Sequence, residues 1–301
     1  MSTVPPILDP KPIIDQTDRL IGHSLLGRYR VRRLLGAGNM ARVYLAHQVS
    51  VGREVAVKVL RTELTDDDSA IRFRREVEAV ARLRSPHSIQ FYDCGATPSG
   101  YSFIVMEYLE GETLHERLER RGALSPGETL SIVAQCASAL GEAHAAGIVH
   151  RDLKPENIHF TDYPSPLSPF VKVLDFGLAQ LADSQRTPVN ITGKHTTVGT
   201  PAYLAPEAAK VGHVTDWRCD IYALGIITFE MLTGIRPFSG RTPLEAMVAH
   251  VRDPIPSAYG LKPQLGPRID QFFAQVLAKG PQERLSNAAL VAEALGEALS
   301  G

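Results

Sequence analysis

The sequence predicts an α+β protein built as two lobes, a small strand-rich one with one key helix and a larger, mainly helical one. Three observations predict it. Between Tyr29 and Met106 apolar residues alternate over short runs, the period of strands, around a single helical pattern. Glu107-Tyr108-Leu109-Glu110-Gly111 then breaks the pattern and marks a hinge. Beyond it the spacing is helical, and Asp216 to Thr233 is apolar nearly all round, as a central buried helix is.

The bulk properties fit a globular chain. Its 301 residues suffice for one large domain or two smaller ones, and 44% hydrophobic with 22% charged residues is ordinary. A net charge of -1 gives no reason to expect nucleic acid or an anionic membrane as partner. Cys94, Cys136 and Cys219 are odd in number and far apart, so neither a disulfide framework nor a metal site is expected, and the chain reads as reduced and cytoplasmic. Met1 to Pro12 carries Pro5, Pro6, Pro10 and Pro12 without an apolar core, unlike a signal peptide. No run approaches the ~18 apolar residues of a membrane helix. Residues 1–28 read as a flexible extension, with order beginning near Tyr29 and one domain running over 29–299.

Tyr29 to Leu34 reads as a strand, followed by Leu35-Gly36-Ala37-Gly38-Asn39-Met40-Ala41-Arg42-Val43 and a second strand from Ala41. Two glycines let backbone N–H groups approach a phosphate. A strand follows where a dinucleotide fold needs a helix, and the Gly-Lys-Ser/Thr of a Walker loop is missing, so this is neither. In Glu54 to Leu60, Val55, Val57 and Val59 share one face, and Ala56 and Lys58 the other. A lysine in so apolar a strand needs a partner, and small Ala56 leaves room for something flat. Asp66 to Arg84 reads as a helix capped by its acidic start, with Phe73, Val77, Val80 and Ala81 inward. Glu76 lies on that same face and is the expected partner of Lys58; a surface pair with Arg72 or Arg75 is the alternative.

Ile89–Asp93 and Tyr101–Met106 complete the strands of the first lobe. After the hinge, Ser125-Pro126-Gly127-Glu128 reads as a capping box that opens a helix to about Ala146, stopped by Gly147. That helix delivers the chain into His150-Arg151-Asp152-Leu153-Lys154-Pro155-Glu156-Asn157. Pro155 forbids a continuous helix, so a carboxylate, an ammonium and a carboxamide share one loop. They suit a proton acceptor, a phosphate clamp and a metal ligand. A hairpin, Ile158–Phe160 with Val171–Leu174, leads to Asp175-Phe176-Gly177. Residues 178–198 read as a mobile loop. Asp220, near the start of the buried helix, must be satisfied by backbone donors, those of the His150 to Asn157 loop among the candidates. Ser286 to Leu299 closes the chain as an amphipathic helix.

Taken in order, Gly36-x-Gly38, Val55-Ala56-Val57-Lys58, Glu76, His150-Arg151-Asp152, Asn157, Asp175-Phe176-Gly177 and Ala205-Pro206-Glu207 resemble the protein kinase family, nearest to the eukaryotic-like Ser/Thr kinases of bacteria. The resemblance covers about Tyr29 to Leu299 and implies the bilobal kinase fold, with ATP and Mg²⁺ as cofactors and Ser or Thr hydroxyls of proteins as acceptors. It implies that Lys58, positioned by Glu76, pairs the α- and β-phosphates under Leu35 to Val43. Asp152 would take the hydroxyl proton, Lys154 would steady the γ-phosphate, and Asn157 and Asp175 would hold the metal ions. Glu107 and Leu109 would offer backbone groups to adenine, with Ala56 above it and Met106 behind. Glu207 would pair with Arg284, and Val80, Phe91, His150 and Phe176 would stack as a spine footed on Asp220. Lys154, and Thr200 before Pro201, resemble the Ser/Thr class. Arg151 beside Asp152 resembles members switched by loop phosphorylation, with Thr196 and Thr197 the expected sites and Thr187 and Thr192 weaker ones.

Four features depart from the family pattern or widen it. Ala41 replaces a third glycine. His159 stands where the family places an apolar side chain under adenine. The stretch from Thr161 to Phe170 is longer than usual. Glu112 and Glu156 resemble acidic positions that some members use to read basic residues near the target hydroxyl. A pseudokinase scaffold and a small-molecule phosphotransferase are the alternative functions. Lys58, Asp152 and Asp175 argue against the first, and the segment from Thr200 to Glu207 against the second.

Overall fold

The structure is a computed structural model and describes residues 20–38, 41–63, 67–97, 99–161, 170–177, 201–209 and 215–300. The first lobe is a six-stranded antiparallel sheet in the order β1-β2-β3-β4-β6-β5. Its strands are β1 Ser24–Leu25, β2 Tyr29–Ala37, β3 Ala41–Gln48, β4 Arg53–Glu63, β5 Phe91–Ala96 and β6 Tyr101–Glu107. β1 falls inside the stretch read as a flexible extension. The reason is packing: Leu25 is buried with Tyr29, Val31 and Tyr44, and Ser24 pairs with Arg30.

The alternation expected in β4 is present. Val55, Val57 and Val59 join Tyr44, Phe103 and Val105 in one apolar layer. The opposite face carries Ala56, Lys58 and Leu60 and receives helix α1, Asp67–Val80, whose Phe73 and Val77 pack with Leu60 and Ile104. Ala41 joins that cluster, so the methyl group that replaces the third glycine fills core space. α1 stops at Val80 rather than near Arg84. The chain there must turn ahead of Pro86, and Glu142 caps it from the second lobe, accepting the N–H groups of Arg84 and Ser85 at 2.6 Å each.

The second lobe is organised around helix α3, Pro126–Ala145, and helix α4, Arg218–Thr233. α4 is buried over nearly its whole length and ends at Gly234 in the left-handed conformation, φ 82°. Helices α5 Pro243–Arg252, α6 Ala258–Leu261, α7 Arg268–Val276 and α8 Ala288–Leu299 surround them, with α8 against α3. Ser125 caps α3 by accepting the N–H of Glu128, but the Glu128 carboxylate turns to Arg117 and Arg121 instead of closing a box. The complete capping box belongs to helix α2, Leu114–Arg121, through Thr113 and Glu116. Strands β7 Ile158–Thr161 and β8 Phe170–Val173 form the expected hairpin under the hinge. Gly111 ends that hinge at φ 132°, where a Cβ would collide with the Phe160 carbonyl, so no other residue fits. The expected mobile loop, Thr187, Thr192, Thr196, Thr197 and Thr200, and most of the 161–170 connection lie outside the described residues.

Candidate active site

Four elements converge between the lobes. β4 supplies Lys58. The loop after α3 supplies Asp152, Lys154 and Asn157. The turn after β8 supplies Asp175, and α4 supplies the foot, Asp220. The Lys58 ammonium meets the Asp175 carboxylate at 2.6 Å, with side chains 14% and 25% exposed. Burial pushes Asp175 up, but Lys58 outweighs it and holds the carboxyl below its usual range, helped by His150 and Lys154. Lys154 Nζ donates to Asp152 Oδ2 at 2.7 Å. The Asn157 side-chain nitrogen donates to the Asp152 carbonyl at 2.8 Å, so the oxygen is the atom it would offer a cation.

The loop is held from beneath. Asp220, 1% exposed, accepts the backbone N–H groups of His150 and Arg151 at 2.8 Å each. This is the expected satisfaction of its charge by that loop. A third donor, His144 Nε2 at 2.8 Å, was not anticipated. The signal was present: His144 continues the inward face of α3 through Val133, Ala137 and Leu140. Burial raises the Asp220 pKa, but the His144 hydrogen bond and the neighbouring imidazoles bring the net shift below the ordinary range.

His150 is fully buried and links the segment that carries Asp152 to the one that carries Asp175. Its Nε2 lies 2.7 Å from the Leu174 carbonyl and its Nδ1 accepts the Asp152 N–H at 3.3 Å. A carbonyl on one side and an N–H on the other fix the orientation of the ring. Its ring packs against Phe176 at 5.0 Å, and Phe176 belongs to the core cluster that contains Val80 and has Phe91 packed against it, so the expected spine residues lie together. Arg151 and Asp175 hold positive φ, 64° and 61°, the left-handed region that non-glycine residues seldom enter. Arg151 adjoins Asp152, and Asp175 is itself a candidate site residue. Glu207 and Arg284 form the expected strut, two hydrogen bonds of 2.7 Å from one guanidinium to one carboxylate.

One expected contact is replaced. Lys58 bridges to Asp175, and among the described residues it has no ion pair with Glu76. Glu76 is half-buried, and burial raises its pKa against the opposing pull of Arg151 and Arg72. The Lys58 ammonium sits against Asp175, and the charges that Glu76 feels are those of Arg151 and Arg72.

The upper cleft is apolar. Ala56 and Met106 cluster with Leu35, Val43, Leu109 and Leu174. The Glu107 N–H is donated to Gln90 at 2.9 Å, so what this residue would offer a base is its carbonyl. A Cβ on Gly36 would meet nothing within 4 Å, and one on Gly38 only the Ala41 carbonyl at 3.9 Å. Gly36 sits at a register shift between β2 and β3 and the Gly38 N–H closes the hairpin on the Ala41 carbonyl at 2.9 Å, with open space beside both. Asn39 and Met40 lie outside the described residues; Arg42 is strand residue, in register with Val59. His159 sits below, beside Gly111, with its Nδ1 buried and without a partner, and burial lowers its pKa.

The donor set suits the implied cofactors. Asn157 and Asp175 offer hard oxygens, and Mg²⁺ needs only one or two protein ligands when phosphates supply the rest. Among the described residues no cluster of three or more His, Cys, Asp or Glu could hold a metal by itself. Of the two acidic candidates for reading substrate, Glu112 is already clasped by Arg117 and Arg120 at 2.7 Å. Glu156 keeps a buried oxygen without a partner, near Tyr203 and Glu230.

The protein kinase domain family matches residues 29–295. The chain is 39% identical over 276 residues to the Ser/Thr-protein kinase pkn3 of Myxococcus xanthus, covering 90% of this chain and 50% of that one. It is 40% identical over 270 residues to PrkC of Bacillus subtilis, covering 89% and 40%. It therefore spans half or less of these relatives' length. The crystal structure of the Mycobacterium tuberculosis PknI kinase domain superposes with a TM-score of 0.70 at 30% identity, covering 92% of this chain and 98% of that one. With its ordered motifs, its two lobes and a match across nearly its whole described length, the chain belongs to the protein kinase family.

Proposed function

We propose that the chain transfers the γ-phosphoryl group of ATP, with Mg²⁺, to Ser or Thr hydroxyls of proteins. The domain would run over 29–299, with a small lobe to about 106, a hinge over 107–111 and a large lobe beyond. The observation that carries this reading is a set of contacts between the implied groups: Lys58 to Asp175 at 2.6 Å, Lys154 to Asp152 at 2.7 Å, and Asn157 to the Asp152 carbonyl at 2.8 Å. Phosphoryl transfer needs positioning and neutralised charge more than a strong base. Bound ATP would supply the phosphoryl group, and Mg²⁺ would neutralise the charge that develops on it. Lys58 and Asp175 now serve as each other's counterion; with nucleotide bound, Lys58 would turn to phosphate and Asp175 to the metal. Asp152 would take the proton of the attacking hydroxyl, and Lys154 would hold the transferred group in line.

The naming of the relatives as Ser/Thr kinases supports the acceptor class. A cytoplasmic location fits the cysteine pattern, and no helix among the described residues is long and apolar enough to cross a membrane. Autophosphorylation at Thr196 or Thr197 would regulate the site; phosphosite mapping after incubation with ATP that finds neither modified refutes this. The principal test is transfer of radiolabelled phosphate to a generic protein by wild type, Lys58→Met and Asp152→Asn. Wild-type activity that both variants lose by about a thousandfold or more supports the mechanism. A wild type no more active than Asp152→Asn supports the scaffold alternative.

A further inference from the structure

Lys172 stands in a short, otherwise apolar strand, a costly place for an ammonium without a partner. Val171 and Val173 on either side are fully buried, so Lys172 shares the cleft-facing side of β8 with Leu174, which packs with Ala56, Met106 and Leu109. Its ammonium meets the Glu107 carboxylate at 2.7 Å, with side chains 13% and 17% exposed. Glu107 is the last residue of β6 and the first of the hinge. The same carboxylate oxygen accepts the Gln90 N–H at 2.8 Å, and the Glu107 N–H returns to the Gln90 carbonyl at 2.9 Å. Lys172 also reaches the Ser88 carbonyl at 3.4 Å.

The segment that contacts this pair belongs to the small lobe by sequence and is fastened to the large one. The Arg84 and Ser85 N–H groups end on Glu142 of α3. Ile89 donates to the Val173 carbonyl at 3.0 Å, and Val173 to the His87 carbonyl at 2.7 Å. The His87 ring stacks on Phe170 at 4.7 Å. The Glu107–Lys172 pair extends this fastening to the hinge itself, three residues before Asp175 in the chain.

A half-buried ion pair contributes little net stability over an apolar pair of the same shape, but it fixes which groups lie opposite each other. We infer that Lys172, acting through Glu107, is a positioning residue for the nucleotide. It holds the hinge backbone at a set height above β8, so that the base meets a pre-organised edge. This rests on the nucleotide site proposed above.

The test uses the full chain, with ATP binding measured by calorimetry alongside steady-state kinetics. Lys172→Met should raise the Kd and KM for ATP about five- to tenfold and leave kcat within about twofold. Lys172→Arg, which keeps the charge, should recover most of the loss. Unchanged nucleotide affinity, or a change in kcat alone, overturns the inference. If Lys172→Met does not fold, the exchanged pair Glu107→Lys with Lys172→Glu decides: affinity nearer wild type than in Glu107→Lys alone supports it, and affinity no better overturns it. A wild type that binds no ATP sinks the nucleotide site itself. Wild-type binding with unaffected variants sinks only the role of Lys172.

Discussion

On the large-lobe side of the cleft, the catalytic loop rests on a buried carboxylate that accepts from the His150 and Arg151 amides and the His144 ring, all at 2.8 Å. On the small-lobe side, Lys58 has a counterion borrowed from the other lobe, and Glu76 faces arginines. The first arrangement is locked by mutual satisfaction of buried groups. The second is an ion pair whose members both have a different proposed partner in the working complex. The two walls therefore differ in what a mutation disturbs: stability on one side, the equilibrium between arrangements on the other.

The largest effect that would break this comparison is at its foot. Asp220→Ala leaves the His150 and Arg151 amides, the His144 ring and the Cys219 thiol without this acceptor and should cost about 3–5 kcal/mol in urea denaturation, whereas Glu76→Gln should leave stability at pH 7 unchanged or slightly higher. Equal losses in both would erase the distinction.

Acid titration gives a second contrast, with opposite signs. The folded-state pKa of Asp220 is depressed, so its stabilisation is present above the ordinary Asp range near 4 and is lost as pH falls through the folded value. The folded-state pKa of Glu76 is raised, so folding favours its protonated form and its contribution worsens as pH rises through that range. Denaturation of wild type against Asp220→Asn and Glu76→Gln from pH 7 to 3 should show the two differences moving in opposite directions.

A smaller effect is expected at His159, whose buried Nδ1 lacks a partner. His159→Leu should raise stability by about 1 kcal/mol by removing an unsatisfied polar atom, with ATP KM changed less than about threefold. A larger rise in KM would make the imidazole a nucleotide contact. The smallest effect concerns substrate choice. In a peptide-library screen, Glu156→Gln should weaken any preference for Arg or Lys upstream of the target, while Glu112→Gln should not, because Glu112 already has two arginines.

Much of this was legible from residue order. The footing of the loop on Asp220 follows from a buried carboxylate that admits few partners, whereas the spine and the Glu207–Arg284 strut were implied by the resemblance to the family. What residue order did not reveal was choice among competing partners. Lys58 had two candidate carboxylates in the sequence, and the fold sets Asp175 against it. Glu128 had the spacing of a capping box, but Arg117 and Arg121 took its carboxylate. Lys172 drew no notice because one lysine in a four-residue strand reads as an edge residue until its neighbour across the hinge is known. β1 was missed because two residues carry no periodicity.

The left-handed backbone at Asp175 bears on how an inactive form of this protein should be made. Alanine there would remove the carboxylate and also force a methyl-bearing residue into a conformation it resists, by about 1 kcal/mol. Asparagine tolerates that conformation and keeps the shape while losing the charge. Asp175→Asn is therefore the cleaner negative control: lost phosphoryl transfer in it reports on chemistry, whereas in Asp175→Ala it would mix chemistry with a relaxed backbone.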